Sequence, residues 1–206
     1  QSDRQYYYSI GAASTALAGH RFRTAPATGT VPGDGKVRLW LLGDSGTASE
    51  VSGGKPKYPG QATAVRDGFL RYNREHAGGD DIDLLLLLGD NAYTAGTDAE
   101  WQQAFFEVYP GLLASTPVYP TIGNHEMGYA LVDFCSWYEL PQCTGEPLLR
   151  PYGGTSQQPD PMSYDVDGDG KPDGTGPPYL SIFTLPGAGE MGGVPSGTEQ
   201  YYSADY

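Results

Sequence analysis

Apolar runs and amphipathic segments alternate along the first two thirds of the chain. The run over residues 37–42 has the length and composition of a buried strand. Residues 61–76 carry apolar side chains three or four positions apart, which predicts an amphipathic helix. Its expected inner face consists of Ala62, Val65, Phe69 and Tyr72. A second apolar run, residues 82–88, predicts a strand covered on both faces, so strand, helix and strand indicate a parallel pair.

Two further elements extend this α/β pattern. Residues 97–100 have the form of a capping box, which predicts that a helix begins there with Trp101, Phe105 and Val108 facing the core. Residues 117–122 form a third short apolar run. We therefore expect three strands of one parallel sheet.

The flanking regions have a different pattern. Residues 6–23 contain two β-prone segments around a stretch of small residues, which predicts a hairpin. Residues 26–35 are rich in Pro and Gly and indicate a linker. Residues 140–197 are dominated by Pro, Gly, Asp and Ser, which indicates a loop-rich insertion, and residues 199–206 predict a last strand.

Each of the three predicted sheet strands ends in a glycine that is followed by a polar side chain, namely Asp44, Asp90 or Asn124. Tyr93 and His125 lie close behind the second and third of these glycines. Because the carboxyl ends of parallel strands meet at one edge, we expect these side chains to converge. Their oxygen donors suit a pair of transition-metal ions. Any single Gly-Asp or Gly-Asn pair could be an ordinary turn, but three in order favour a metal site.

The three segments resemble family motifs. Residues 43–46 (Gly-Asp-Ser-Gly), 89–93 (Gly-Asp-Asn-Ala-Tyr) and 123–126 (Gly-Asn-His-Glu) are similar to the G-D-x-G, G-D-x-x-Y and G-N-H-E motifs of purple acid phosphatases, which belong to the calcineurin-like metallophosphoesterases. Gly46 stands where most of the superfamily has the histidine of D-x-H, and Tyr93 is present, which favours the purple subfamily. The resemblance implies the first half of an αββα sandwich.

The resemblance also implies a dinuclear centre of iron with zinc, manganese or a second iron. By this resemblance, Asp44 and Tyr93 would bind the ferric ion, Asn124 would bind the divalent ion, and Asp90 would bridge the two ions. His125 would be the catalytic residue that contacts the substrate phosphate. The implied activity is hydrolysis of phosphate monoesters, with a phosphodiesterase or nucleotidase as the nearest variant. Two cations hold a phosphate, lower the pKa of a bound water and offset transition-state charge.

The family's domain order implies boundaries within this chain. Residues 1–30 resemble the last strands of a fibronectin-type-III-like β-sandwich with a linker, and residues 36–206 resemble the N-terminal part of the metallophosphoesterase domain, with 140–197 as an insertion. The family's V-x-x-H and G-H-x-H motifs are missing after the third motif, so we expect an inactive fragment that lacks the C-terminal half. The chain's three histidines are His20, His76 and His125.

Residues 165–173 match the first nine positions of a calcium-binding loop. The expected ligands are the carboxylates of Asp165, Asp167, Asp169 and Asp173 and the carbonyl of Lys171. Position 12 holds Gly176 instead of glutamate, so the loop resembles thrombospondin-type or dockerin-type repeats more than an EF-hand. A solvated acidic turn is the alternative.

Cysteine use and charge restrict the remaining functions. Cys135 and Cys143 predict a small disulfide, and therefore a secreted protein in an extracellular or periplasmic compartment; two free buried thiols are the alternative. A net charge of −13 argues against nucleic-acid partners. No apolar run reaches the roughly 18 residues of a membrane span. The expected partner is a phosphate-ester substrate, whereas a non-catalytic, calcium-stabilised extracellular binding module on the same scaffold is a second hypothesis.

Overall fold

The computed structural model describes residues 1–11, 19–79, 82–94, 96–126, 163–164, 174–175, 178–199 and 201–205. The strands are β1 (Gln5–Tyr7), β2 (Arg21–Arg23), β3 (Leu39–Leu42), β4 (Val51–Ser52), β5 (Lys55–Pro56), β6 (Leu84–Leu87), β7 (Val118–Pro120), β8 (Ser163–Tyr164) and β9 (Gly174–Thr175). The helices are α1 (Gln61–His76), α2 (Asp98–Trp101), α3 (Pro110–Leu113) and α4 (Tyr179–Ile182). A 3-10 turn covers Ser45–Ala48, and a π turn over Gln102–Phe106 continues α2.

The central feature is a parallel sheet with the strand order β3-β6-β7. Its register pairs Trp40 with Leu85 and Leu42 with Leu87, so these four buried side chains share one face. Helix α1 covers this face, and Trp40 stacks on Phe69 with ring centroids 3.9 Å apart. The predicted mixed α/β fold with a parallel sheet is confirmed, and the carboxyl ends of all three strands lie at one edge.

The opposite face of the sheet is less covered than predicted. Leu39 and Leu41 are 46% and 52% exposed, so β3 is buried on one face only. On β6, Leu84 is buried and Leu86 is half-buried. The central strand β6 therefore comes closer to the predicted burial on both faces, because it has a neighbouring strand on each side.

Helix α1 has the predicted bounds but a different buried face. Ala62 is buried as expected, whereas Val65 and Tyr72 are 58% and 62% exposed and Asn73 is buried. A spacing of three or four residues fits two adjacent stripes of a helix equally well. The stacking of Phe69 on the sheet selects the stripe that contains Asn73.

The predicted capping box is confirmed at the start of α2. The Glu100 N–H donates to Thr97 Oγ1 at 3.3 Å, and the Thr97 N–H donates to the Glu100 carboxylate at 2.9 Å. Trp101, Phe105 and Val108 are buried in the core as expected.

The predicted N-terminal hairpin is confirmed as the antiparallel pair β1 and β2. It contacts the rest of the chain at the carbonyl of Ala114, which accepts hydrogen bonds from the Tyr8 hydroxyl at 3.0 Å and the Arg21 N–H at 3.2 Å. Its assignment to a fibronectin-type-III-like domain stays a prediction.

The predicted strand over residues 199–206 is wrong for the part that the structure describes. Over residues 201–205, only Ala204 forms a bridge, with Gly192. The partner segment turns at Gly189, Gly192 and Gly197, which all have positive φ, so it offers no extended stretch for a longer ladder.

Two predicted features lie outside the described residues. They are the calcium loop, with Asp165, Asp167, Asp169, Lys171 and Asp173, and the cysteine pair Cys135 and Cys143. Strands β8 and β9 pair antiparallel on either side of residues 165–173. Within the described residues, no helix combines the length and apolarity that a membrane span requires.

Candidate metal centre

Three loops at the carboxyl edge of the sheet form the candidate centre: the first loop (residues 43–46), the second loop (89–93) and the third loop (123–126). Asp44 and Asp90 both adopt the left-handed conformation, with φ of 51° and 55°. Aspartate tolerates this region better than most side chains. At the ends of the first two sheet strands, an aspartate in the left-handed conformation thus follows a glycine.

The first and second loops are joined by backbone and side-chain hydrogen bonds. The Gly46 N–H donates to the Asp90 carbonyl at 3.0 Å. The Tyr93 hydroxyl donates to Asp44 Oδ1 at 2.8 Å. Burial raises the pKa of Tyr93 well above its ordinary value, and the bond to Asp44 and the charge of Asp90 raise it further. The phenol is therefore protonated in this state, which agrees with its role as a donor to Asp44.

The third loop packs against the second. The His125 N–H donates to Asp90 Oδ1 at 3.1 Å, and the imidazole lies 4.2 Å from the Tyr93 ring, centroid to centroid. His125 Nδ1 is 2.6 Å from the carbonyl oxygen of Thr94. Because a carbonyl only accepts, Nδ1 carries the proton, and Nε2 is left for other contacts. Asn124 precedes His125 in this loop and is exposed.

Asp44, Asp90, Tyr93 and His125 are thus brought into one cluster, with Asn124 on the same loop as His125. The other two histidines lie elsewhere. His20 stacks on Tyr8 in the hairpin, and His76 stacks on Tyr72 at the end of α1.

Glu126 is a central residue of the cluster to which the sequence analysis assigned no role. Its carboxylate is 0% exposed and accepts hydrogen bonds from four backbone N–H groups: those of Asp90 at 2.9 Å, Ala92 at 3.1 Å, Gly123 at 2.7 Å, and Asn91. Burial raises the pKa of the Glu126 carboxyl, and the N–H donors oppose that rise. The sequence indicates Glu126 only as the fourth position of the G-N-H-E motif. That position alone does not distinguish a buried hydrogen-bond acceptor from a surface carboxylate.

Ser49 is a second residue that the sequence analysis missed. Its buried Oγ accepts the Tyr93 N–H at 3.1 Å and lies 2.6 Å from the Tyr93 carbonyl oxygen and 2.9 Å from that of Gly46. Ser49 thereby holds Tyr93 against the first loop. A lone serine in a turn carries no signal of such a contact, because its partner is 44 residues away.

Two glycines of the cluster allow backbones to approach closely. A Cβ at Gly46 would overlap the backbone of Asn91 and Ala92. A histidine at this position, as in D-x-H, therefore does not fit unless the second loop moves. A Cβ at Gly123 would overlap the Asp90 carboxylate and stand 2.8 Å from Glu126 Oε2.

The donor chemistry of the cluster fits a metal ion that prefers oxygen ligands. Asp44 Oδ1 and Tyr93 Oη are 2.8 Å apart. Adjacent ligands of an octahedral ion with bonds of about 2.0 Å are also about 2.8 Å apart. Among the residues that the structure describes, no three His, Cys, Asp or Glu side chains are grouped so as to hold a metal ion. The candidate ligand set therefore depends on Tyr93 and Asn124 as well as on the two aspartates.

The sequence profile of the calcineurin-like phosphoesterase family matches residues 37–189, which include all three loops. The chain belongs to this family. Calcineurin-like phosphoesterases are metal-dependent hydrolases of phosphate esters, and the oxygen-rich edge of the sheet agrees with that chemistry. Neither the curated proteins nor the solved structures gave a match.

Proposed function

We propose that this calcineurin-like phosphoesterase chain supplies ligands of a dinuclear centre of purple acid phosphatase type, which hydrolyses phosphate monoesters. The observation that carries this proposal is the hydrogen bond of 2.8 Å between Tyr93 and Asp44. A half-buried tyrosine whose hydroxyl contacts a candidate carboxylate ligand supports a phenolate ligand, which is the feature that favours the purple subfamily.

Each residue has a role in the proposed centre. Asp44 and Tyr93 would hold a ferric ion, and Asn124 would hold a divalent ion of zinc, manganese or iron. Asp90 would be a ligand shared by both ions. When bound, the metal pair supplies positive charge to the phosphate and lowers the pKa of a coordinated water. Asp44, Asp90 and the buried Glu126 make the surroundings negative, which favours cations over anions in the absence of substrate.

His125 would contact the substrate directly. The Thr94 carbonyl fixes the proton on Nδ1, so Nε2 is the ring atom available to a phosphate oxygen or to the leaving group. In the imidazolium form, Nε2 would donate a proton to the departing alkoxide. The tilted contact of the imidazole with the Tyr93 ring supports a position of His125 at the edge of the cluster.

The setting of the protein is a further part of the proposal. We place it in an oxidising, extracellular or periplasmic compartment, on the basis of Cys135 and Cys143. A calcium ion in the loop of residues 165–173 would be available there. Mass spectrometry under non-reducing conditions tests the disulfide, and calorimetric titration with calcium tests the loop.

The central test uses the full-length protein with iron and a divalent metal. Tyr93→Phe is the matched variant, because it keeps the ring against His125 and removes only the hydroxyl. We expect the wild type to hydrolyse a chromogenic phosphate monoester faster than the corresponding diester and to show the visible absorption of an iron-phenolate bond. Tyr93→Phe should lose the absorption and bind iron more weakly while it keeps its circular dichroism.

The possible failures separate the alternatives. Hydrolysis without iron-phenolate absorption would assign the chain to another branch of the phosphoesterase family. A preference for the diester would favour a phosphodiesterase. A full-length protein that neither binds metal nor hydrolyses either ester would refute the catalytic proposal and leave the binding module.

A further inference from the structure

The carboxylate of Glu126 joins two loops that carry different candidate site residues. Three of its four N–H donors are consecutive residues of the second loop, and the fourth is Gly123 of its own loop. We propose that Glu126 is a positioning residue that sets the placement of Asp90 relative to His125. This inference rests on the proposed function, because it assumes that Asp90 and His125 serve the metal centre.

The two carboxylate oxygens divide the donors between them. Oε1 accepts from Asn91 and Ala92, and Oε2 accepts from Asp90 at 2.9 Å and Gly123 at 2.7 Å. Successive backbone N–H groups that point into one concavity form a nest for an anion. A carboxylate without solvent contact is costly to bury unless hydrogen bonds replace its hydration, and four donors do so here. The chain therefore buries this charge at the junction of the two loops.

Hydrogen bonds run in both directions between the loops. The Asp90 N–H donates to Glu126, while Asp90 Oδ1 accepts from the His125 N–H at 3.1 Å. A relative movement of the two loops would break both bonds. Gly123 leaves no space beside the Asp90 carboxylate, since a Cβ there would overlap Asp90 Oδ1. Asp90 is thus held at its backbone by Glu126 and at its side chain by the third loop.

The geometry explains why a carboxylate is needed at this position. A glutamine has one carbonyl oxygen and one amide group, so its N–H₂ would face two of the four backbone donors. An aspartate keeps both oxygens but is shorter by one methylene and would not reach all four donors. Glu126→Gln should therefore release part of the second loop, and Glu126→Asp should have an intermediate effect.

The test combines two measurements on the full-length protein. The first is hydrogen exchange of the metal-free protein, in which we expect the amides of residues 90–92 and Gly123 to exchange about 10 to 100 times faster in Glu126→Gln, while the α1 amides are unchanged. The second is Mn²⁺ affinity by electron paramagnetic resonance, which should fall about 10- to 100-fold, as for other groups that orient metal ligands.

Leu112→Ala is the control for a general loss of stability. Leu112 is a buried core residue of α3 and lies outside the three loops of the candidate centre. Its truncation should lower the melting temperature and leave both the loop exchange and the Mn²⁺ affinity unchanged. If Glu126→Gln does not fold, Glu126→Asp serves in both measurements.

The outcomes distinguish this inference from the proposed function. Faster loop exchange together with weaker Mn²⁺ binding in the Glu126 variant alone supports the positioning role. Unchanged exchange, or altered exchange with wild-type Mn²⁺ affinity, overturns it while the metal centre stands. A wild-type protein that binds no Mn²⁺ overturns the proposed centre itself, and with it any role for Glu126 in positioning ligands.

Discussion

Replacement of Gly96 by alanine would place a methyl group against the third loop. Gly96 has a φ of +65°, and a Cβ there would stand 2.6 Å from Glu126 Cα and 2.8 Å from the His125 carbonyl oxygen. Ordinary contacts of a Cβ begin at 3.4 Å. The third loop must therefore move by about 0.8 Å, because both close atoms belong to the backbone and cannot rotate away.

The expected cost has two parts. A left-handed conformation costs an alanine about 1 kcal/mol more than a glycine. Overpacking against a backbone adds about 2 to 3 kcal/mol. We therefore expect Gly96→Ala to lower the free energy of unfolding by about 3 to 4 kcal/mol. A displacement of the His125 loop by nearly 1 Å should also lower kcat/KM by about 100-fold.

Gly197→Ala is the matched control for this prediction. Gly197 also has a positive φ, of +76°, but no atom lies within 4 Å of the position that a Cβ would take there. Gly197→Ala should lower the free energy of unfolding by only about 1 kcal/mol and keep full activity. Urea denaturation followed by tryptophan fluorescence and the hydrolysis of a chromogenic phosphate ester measure the two effects. Equal destabilisation by the two variants would refute the reasoning, since the close approach at Gly96 would then contribute nothing.

Three further predictions concern single contacts. Ser49→Ala removes one of two acceptors of the Tyr93 N–H, the other being the Gly46 carbonyl at 3.4 Å, and should lower the free energy of unfolding in urea by about 1 kcal/mol, with weaker iron-phenolate absorption; unchanged values of both would contradict the assigned contact. Thr97→Ala breaks the capping box of α2 and should cost about 1 kcal/mol, measured by thermal unfolding, whereas an unaltered melting temperature would show that the cap is dispensable. Burial raises the pKa of Tyr202 from 10.0 to about 12, so the free energy of unfolding should be maintained below pH 10 and fall as the pH rises towards 12. Tyr202→Phe should make that fall shallower by up to about 1.4 kcal/mol per pH unit, and an equal slope in both proteins would exclude Tyr202 as a cause.

Local patterns predicted several elements correctly because the interactions that form them span only a few residues. The bounds of α1 agree with the structure at both ends, where Gly60 precedes the helix and Gly78 follows it. The capping box of α2 involves residues three positions apart. Exposure depended on more distant contacts, so the predicted inner positions Val65 and Tyr72 are on the outside of α1.

The three loops lie at the sheet edge, as their positions after strand ends predict, whereas their role as a metal centre stays a prediction. That Asp44, Asp90 and Asn124 follow strand ends could be predicted, because parallel strands deliver their carboxyl ends to one edge. The sequence could not predict which other side chains form hydrogen bonds to these loops. Ser49 meets Tyr93 across 44 positions of sequence, and Glu126 meets Asn91 across 35.

The sequence by itself determined the elements, their order, the types of donor atoms at the sheet edge and the family resemblance, since these depend on periodicity, turn residues and short motifs. Only the tertiary structure decided which face of α1 is buried, how far β3 is covered, and that Glu126 accepts four backbone N–H groups from two loops. The physical reason is that burial and long-range hydrogen bonds are properties of packed pairs of elements. The carboxylate of Glu126 could equally be a surface charge or a buried hydrogen-bond acceptor, and the position of the second loop decides between the two.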